Sequence, residues 1–263
     1  MKAIISCTND PMYSWFLPLV ANCWNKLGVD VICFTPANPT EATFFAMKTM
    51  NFNNENRNRS YGVLAPEHKQ STYSQCSRLY GACLDFPEDE VLITSDVDMA
   101  VFKLPPYHGG FTIFGGDLVP DGQYPMCYAS ATAKEWRQAF KLNNKTYQQC
   151  LDETIGKEEC ENMRGNLWSR DQETLKNMIM ADASFITNVK RARPGTQFSD
   201  NRIDRDDINW RSYMNENLID AHLWRPGYTE ENFPKIMELM TTMYPQDDFN
   251  WLIEYNEKYK QLL

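Results

Sequence analysis

The chain contains no apolar run of about 18 residues, the length a helix needs to cross a bilayer, so no segment reads as a membrane span. Nor is there the apolar region of a signal peptide, because MKAIISC runs at once into the polar cluster Thr8-Asn9-Asp10-Pro11. None of the eight cysteines forms a CxxC pair, and several sit in apolar runs such as AIISC and VICF. Reduced, buried thiols are therefore expected; a disulfide set would need an oxidising compartment. These absences together point to a cytoplasmic protein. Basic residues are a minority, 26 Lys and Arg against 35 Asp and Glu for a formal net charge of -9, which argues against nucleic acid as a partner. Internal repeats and low-complexity tracts are missing, and the sequons at Asn58 and Asn144 read as chance matches without a secretion signal.

What is present is an ordinary globular composition, 43% hydrophobic and 23% charged, long enough for one domain with a substantial core. Lys2 to Cys7 reads as a buried strand, Met12 to Leu27 as an amphipathic helix stopped by Gly28, and Val29 to Thr35 as a second strand, the opening of a βαβ unit. Residues 51–62 (NFNNENRNRSYG) predict an exposed loop, a candidate lid. Helical spacing over Lys69 to Phe86 leads into the strand Val91–Thr94. Further on, Phe111 to Phe114 reads as a strand, Gly115-Gly116-Asp117 as a turn and Met126 to Ser130 as a small-residue segment. Ala133 to Phe140, Asn143 to Ile155, Ser169 to Met180, Asn232 to Met243 and Asp247 to Leu262 read as helices. Early alternation of strands and helices predicts an α/β domain with a mostly parallel sheet.

The strongest chemical signal is VLITSDVDMAVF, in which Asp96 and Asp98 follow a buried strand. In open α/β sheets, ligands bind beyond the carboxyl ends of the strands. Alternation puts both carboxylates on one side and turns Val97 away. Such a pair suits Mg²⁺ or Mn²⁺, hard cations that take oxygen ligands and leave positions for phosphate oxygens. An Asp pair after a strand also serves merely to close a turn. A phosphatase of the haloacid dehalogenase type uses DxD too, but on its first strand and with Thr or Val where this chain has Ala100; here two strand patterns precede the motif. Arg57, Arg59, Arg78, Arg202 and Arg205 fall in loops or at helix edges, where a diphosphate would meet them.

With these residues in view the chain resembles the GT-A glycosyltransferases, over about residues 2–228, with glycogenin-like motifs and a compact form similar to glycosyltransferases of large algal viruses. The resemblance implies a Rossmann-like mixed, mostly parallel sheet flanked by helices, in a single domain: a nucleotide-binding half at 1–100, a sugar and acceptor half at 101–228, and a helical C-terminal extension at 229–263. It implies transfer of a sugar from a nucleotide diphosphate donor, a UDP-sugar being favoured, to a hydroxyl of a glycan or glycoprotein acceptor. By the same resemblance Thr8, Asn9 and Tyr13 contact the nucleotide, Arg78, Asp96 and Val97 the donor, and Asp96, Asp98 and His222 the Mn²⁺ or Mg²⁺ cofactor. Trp168-Ser169-Arg170-Asp171-Gln172 resembles the family's DQ motif, which makes Asp171 and Gln172 the catalytic candidates. Cys127-Tyr128-Ala129-Ser130-Ala131 stands where the family often has an Asn-Ser-Gly type segment, so sugar identity does not carry over.

The residues also have plainer readings: Asn9 or Asp10 as a helix cap with Pro11 behind it, Arg78 as a packed surface side chain, Asp171 as helix N-terminal charge, and His222 as a structural histidine. A catalytically silent domain that binds nucleotide sugars or glycans stays open, with Trp136, Trp168, Trp210 and Trp224 as stacking platforms. Asp117, Asp121 and Asp171 are the candidate general bases.

Overall fold

The apolar run behind Lys2 becomes the middle of a sheet. A computed structural model describes residues 1–52, 57–105, 107, 109–114, 122–156, 169–181 and 202–263. In it β1 is Lys2–Ser6, β2 Asp30–Pro36, β3 Arg59–Val63, β4 Val91–Thr94, β5 Met99–Val101, β6 Thr112–Ile113 and β7 Ala129–Thr132. The six-stranded sheet runs β3-β2-β1-β4-β7-β6, parallel from β3 to β4 and antiparallel from β4 onward. Its central strands are buried on both faces, which is why they read as continuous apolar runs. The strand period of two sorts them: Ala3, Ile5, Val31 and Cys33 enter one core cluster, Ile4, Ile32 and Phe34 the other.

The stretch read as one helix over Met12 to Leu27 is two, α1 (Pro11–Ser14) and α2 (Leu17–Lys26). Asp10 caps the first by accepting from the Met12 N–H, and Pro18, which has no N–H to give, sits in the first turn of the second. Gly28 ends α2 at φ +81°, a conformation that favours glycine. The α-helix α3 (Glu41–Phe52) carries no assignment in the sequence reading. The loop expected at 51–62 is corrected: Asn53 to Asn56 lie outside the described residues, and from Arg59 the chain is the parallel edge strand β3. Only Val63 of that strand is buried, so its polar sequence hides its pairing. Asn58, buried, exchanges amide bonds with Asn25 at 3.0 and 2.9 Å and accepts the Val31 N–H.

The helix expected over Lys69 to Phe86 holds as α4 (Gln70–Ser77) and then tightens into a 3₁₀ segment, Arg78–Cys83. There Gly81 backs onto Ile4; a Cβ would stand 3.2 Å from its side chain. Next come α5 (Ala133–Ala139) and α6 (Tyr147–Leu151). The earlier start expected at Asn143 is blocked by Asn144 at φ +59° and replaced by a capping box between Thr146 and Gln149. The chain continues through α7 (Arg170–Met180), β8 (Arg202–Ile203), β9 (Asp220–His222), α8 (Phe233–Met243) and α9 (Asn250–Gln261). The closing helices join the first core cluster: Trp15 donates to Asn256 at 3.1 Å, Tyr255 donates to the Trp15 carbonyl, and Ser14 meets Tyr259 at 2.7 Å.

A second, three-stranded sheet, β5-β9-β8, decides where the chemistry lies. Its antiparallel register sets Met99 opposite His222, so the last residue of β9 arrives beside the acidic motif just before β5. Among the described residues no helix is long and apolar enough to cross a membrane.

Candidate metal and donor site

Strand β4 ends at Thr94, and Ser95 still pairs with β1 through its N–H to the Ile4 carbonyl. Alternation then stops, because the Met99 N–H closes a turn onto the Asp96 carbonyl at 3.2 Å. Val97 therefore does not turn away as the strand pattern predicts. It lines, with Asp96 and Asp98, a cavity of about 350 Å³ at the carboxyl ends of β1 and β4. The bond from Leu223 N–H to the Asp98 carbonyl, 2.9 Å, ties the turn to the end of β9.

Side-chain oxygens of Asp96 and Asp98 and a ring nitrogen of His222 fall within 4.8 Å of one another. Two carboxylates and an imidazole are a donor set that Mn²⁺ accepts, and Mg²⁺ accepts the oxygens. The residues thus fit the cation that the resemblance implies. Cationic side chains crowd the same atoms. Arg205 contacts the Asp98 carboxylate at 3.1 Å and His222 Nε2, and Arg225 Nε approaches Asp98 at 3.3 Å. Burial by itself would lower the His222 pKa, but hydrogen bonds to Asp204 and Asp98 outweigh it and raise the value to about 10. Arg205 Nη1 is buried with no hydrogen-bond partner among the described residues, and Arg205 lines the cavity. A buried guanidinium N–H left unpaired favours an incoming anion.

On the other side Arg78, 7% exposed, donates to Asp96 at 2.5 Å, to Asp171 at 2.8 Å and to the Ser95 carbonyl at 3.0 Å. It is a buried bridge, not a surface side chain. Asp171, at the start of α7, also accepts its neighbour's backbone N–H, from Gln172, at 2.9 Å. Burial pushes its carboxyl above the usual range against the pull of Arg78. Gln172 lines the cavity beside it. Ser169 makes no capping bond; its hydroxyl goes to Glu173.

Thr8, Tyr13, Arg78, Asp96, Val97, Asp98, Asp171, Gln172 and His222 thus converge on one cavity. Asn9 does not line it. Its amide instead bonds Asn38 and Thr40 and holds the loop after β2. Of the arginines named from the sequence, Arg78, Arg202 and Arg205 reach the cavity, whereas Arg57 pairs with Asp30 at 2.8 Å and Arg59 lies on the outer strand. None of the described residues of 51–62 lines the cavity, and Asn53 to Asn56 of the expected lid lie outside the described residues. Three of the four tryptophans offered as platforms, Trp136, Trp210 and Trp224, are buried in the two cores. Trp168, Asp117, Asp121 and the Gly115-Gly116-Asp117 turn lie outside the described residues.

Sequence reasoning missed Arg225 and Asp204. Arg225 donates to the Tyr13 hydroxyl at 2.5 Å, with its guanidinium 4.9 Å from that ring, and Asp204 sits 3.6 Å from His222 Nδ1. The nearness of Arg225 to His222 in HLWRPG was the available signal. Four arginines (78, 202, 205, 225) and three aspartates (96, 98, 171) line the cavity, and Arg202 is held from behind by the buried Asp220 at 2.6 and 2.9 Å.

Solved glycosyltransferases share the overall fold. The galactosyltransferase LgtC, solved in complex with donor and acceptor sugar analogs, superposes with a TM-score of 0.53 over all of both chains at 11% identity. An active-site mutant of LgtC gives 0.51 at 12% identity, covering 95% of this chain and 99% of that one. The glycosyltransferase GlyE of Streptococcus pneumoniae TIGR4 gives 0.50 at 8% identity over 99% of this chain and 63% of its own. This chain has the GT-A glycosyltransferase fold. No protein-family model and no curated protein matches the sequence. In GT-A terms the Asp96-Val97-Asp98 turn lies after β4, where the parallel sheet gives way to its antiparallel edge, and the cavity opens at that reversal.

Proposed function

We propose that the protein is a metal-dependent glycosyltransferase that moves a sugar from a nucleotide diphosphate sugar to a hydroxyl of a glycan or glycoprotein acceptor. The observation that carries this reading is the convergence of Asp96, Asp98 and His222 with four arginines on one cavity of a GT-A fold. UDP is the favoured nucleotide, from the likeness of Thr8-Asn9-Asp10 and Tyr13 to the glycogenin-like group.

Asp96, Asp98 and His222 would hold Mn²⁺ or Mg²⁺, which neutralises charge on the departing diphosphate when bound. Arg205, with its free buried N–H, and Arg225 supply charge-assisted bonds to the same phosphates. Tyr13, its hydroxyl held by Arg225, offers a ring edge near the nucleoside. Asp171 and Gln172 lie on the sugar side. There Asp171, fixed by Arg78, orients sugar hydroxyls and opposes the positive charge that develops at the anomeric carbon as its bond to the diphosphate breaks.

Calorimetric titration of UDP and of GDP, each with and without Mn²⁺, tests this on the wild type and on Asp98→Ala. Mn²⁺-dependent binding of one nucleotide, absent in the variant, is the expected result. If the folded wild type bound neither nucleotide, the reading would be overturned.

A further inference from the structure

We propose that Cys83 and Cys150 form an oxidation site, closing into a reversible intramolecular disulfide when the protein meets hydrogen peroxide. Their sulfurs lie 3.8 Å apart although the residues are 67 positions apart in sequence. A disulfide requires about 2.0 Å, so closure asks for a shift of less than about 2 Å, within reach of side-chain rotation.

The surroundings favour this pair over the other thiols. Cys7, Cys23, Cys33, Cys76 and Cys150 are buried, but Cys150 lies with its sulfur against that of Cys83, which is partly exposed at the end of the 3₁₀ segment Arg78–Cys83. Arg137 grips the backbone around it, donating to the carbonyls of Ala82 (2.9 Å), Leu84 (3.0 Å) and Phe86 (2.8 Å). The segment is therefore held in place against α6, which carries Cys150. The Cys83 S–H and the Lys145 ammonium hold the Cys150 thiol below its usual range. Cys127, the other partly exposed thiol, is pushed up by burial. Thiolate character and a neighbouring resolving thiol are the features of peroxide-sensitive cysteines.

The chemistry balances in two steps. The Cys150 thiolate attacks one peroxide oxygen, the O–O bond breaks, and hydroxide leaves to take up the proton that Cys150 released, giving water and a sulfenic acid. The Cys83 sulfur then attacks the Cys150 sulfur, the S–O bond breaks, and the departing hydroxide takes the Cys83 proton as the second water. Two thiols are oxidised by two electrons and one peroxide is reduced. Because the bridge closes a long loop, the oxidised protein should also melt several degrees higher.

Peptide mapping of the full chain by mass spectrometry, after limited peroxide and then alkylation, tests the site. Cys160 lies outside the described residues, so the Cys160→Ser variant is treated in parallel. A peptide linking Cys83 to Cys150 in both proteins, removed by dithiothreitol and absent from Cys83→Ser, is expected. The proposal is overturned if both cysteines remain alkylatable after Cys127 has been oxidised, or if the linked peptide joins Cys160 to either of them. The wild-type map decides the matter even if Cys83→Ser fails to fold.

Discussion

The two sides of the cavity use the same chemistry in opposite ways. Around Arg78, one buried guanidinium serves two carboxylates and two carbonyls. Around Asp98 the ratio is inverted: one carboxylate, 5% exposed, faces Arg205, Arg225 and His222, and an arginine N–H is left without a partner among the described residues. The first cluster is saturated and holds the fold of the site together. The second carries more positive charge than it can satisfy and is built to exchange partners when anion and cation arrive. A buried ion pair is costly to break but contributes little beyond a well-packed apolar contact, so saturation signals structure and surplus signals binding.

The sharpest way to break this contrast is to remove the hub of the saturated side. Arg78→Met leaves Asp171, 3% exposed, without its cation and should cost about 3–5 kcal/mol, read as a lower denaturant midpoint at unchanged slope. A loss under about 1 kcal/mol would mean that Arg78 is held for the donor rather than for the fold. On the other side, Asp204→Asn removes the carboxylate behind His222 and should weaken Mn²⁺ binding about 10–100-fold by calorimetry. Unchanged Mn²⁺ affinity would remove His222 from the metal set.

The pH dependence separates the two sides next. With its pKa raised to about 10 in the metal-free protein, His222 contributes stability that is fully present below its ordinary value of 6.5 and lost as pH rises through about 10. A bound cation must displace that proton, so Mn²⁺ affinity should rise about tenfold per pH unit between about pH 7 and 9, and the slope should flatten in His222→Gln. A flat wild-type profile would contradict a protonated His222. The smallest effect is expected from Arg205→Ala. Freed of that competing guanidinium, Asp98 and His222 should bind Mn²⁺ alone a few-fold more tightly, while the affinity for nucleotide with Mn²⁺ falls. Loss of both affinities would place Arg205 on the structural side instead.

The sequence was most readable where a residue's neighbours in the chain are also its environment. Strand β4 is read with its observed limits, β1 and β2 to within a residue, because strands buried on both faces announce themselves as apolar runs. Edge strand β3 was taken for a loop, because a strand with only Val63 buried leaves no such run. Helix α4 kept its start, but it tightens at Arg78 into a segment that sets Gly81 against Ile4, a contact between distant parts of the chain.

For the site, the order of residues set the chemical types: an Asp pair after a buried strand, a late Asp-Gln at a helix start, a scarce histidine. Which of them meet was left to folding. Arg78 reaches Asp171 across 93 positions and Arg205 reaches Asp98 across 107. The turn after Asp96, not strand alternation, aims Val97 into the cavity, and a register in the small sheet delivers His222. Asn9 was spent on a loop by the same logic. Hydrogen-bonding capacity belongs to a residue, but its partner is chosen by the packing of sheets and helices that bury it, because a polar group removed from water must take whatever donor or acceptor the fold brings within about 3 Å.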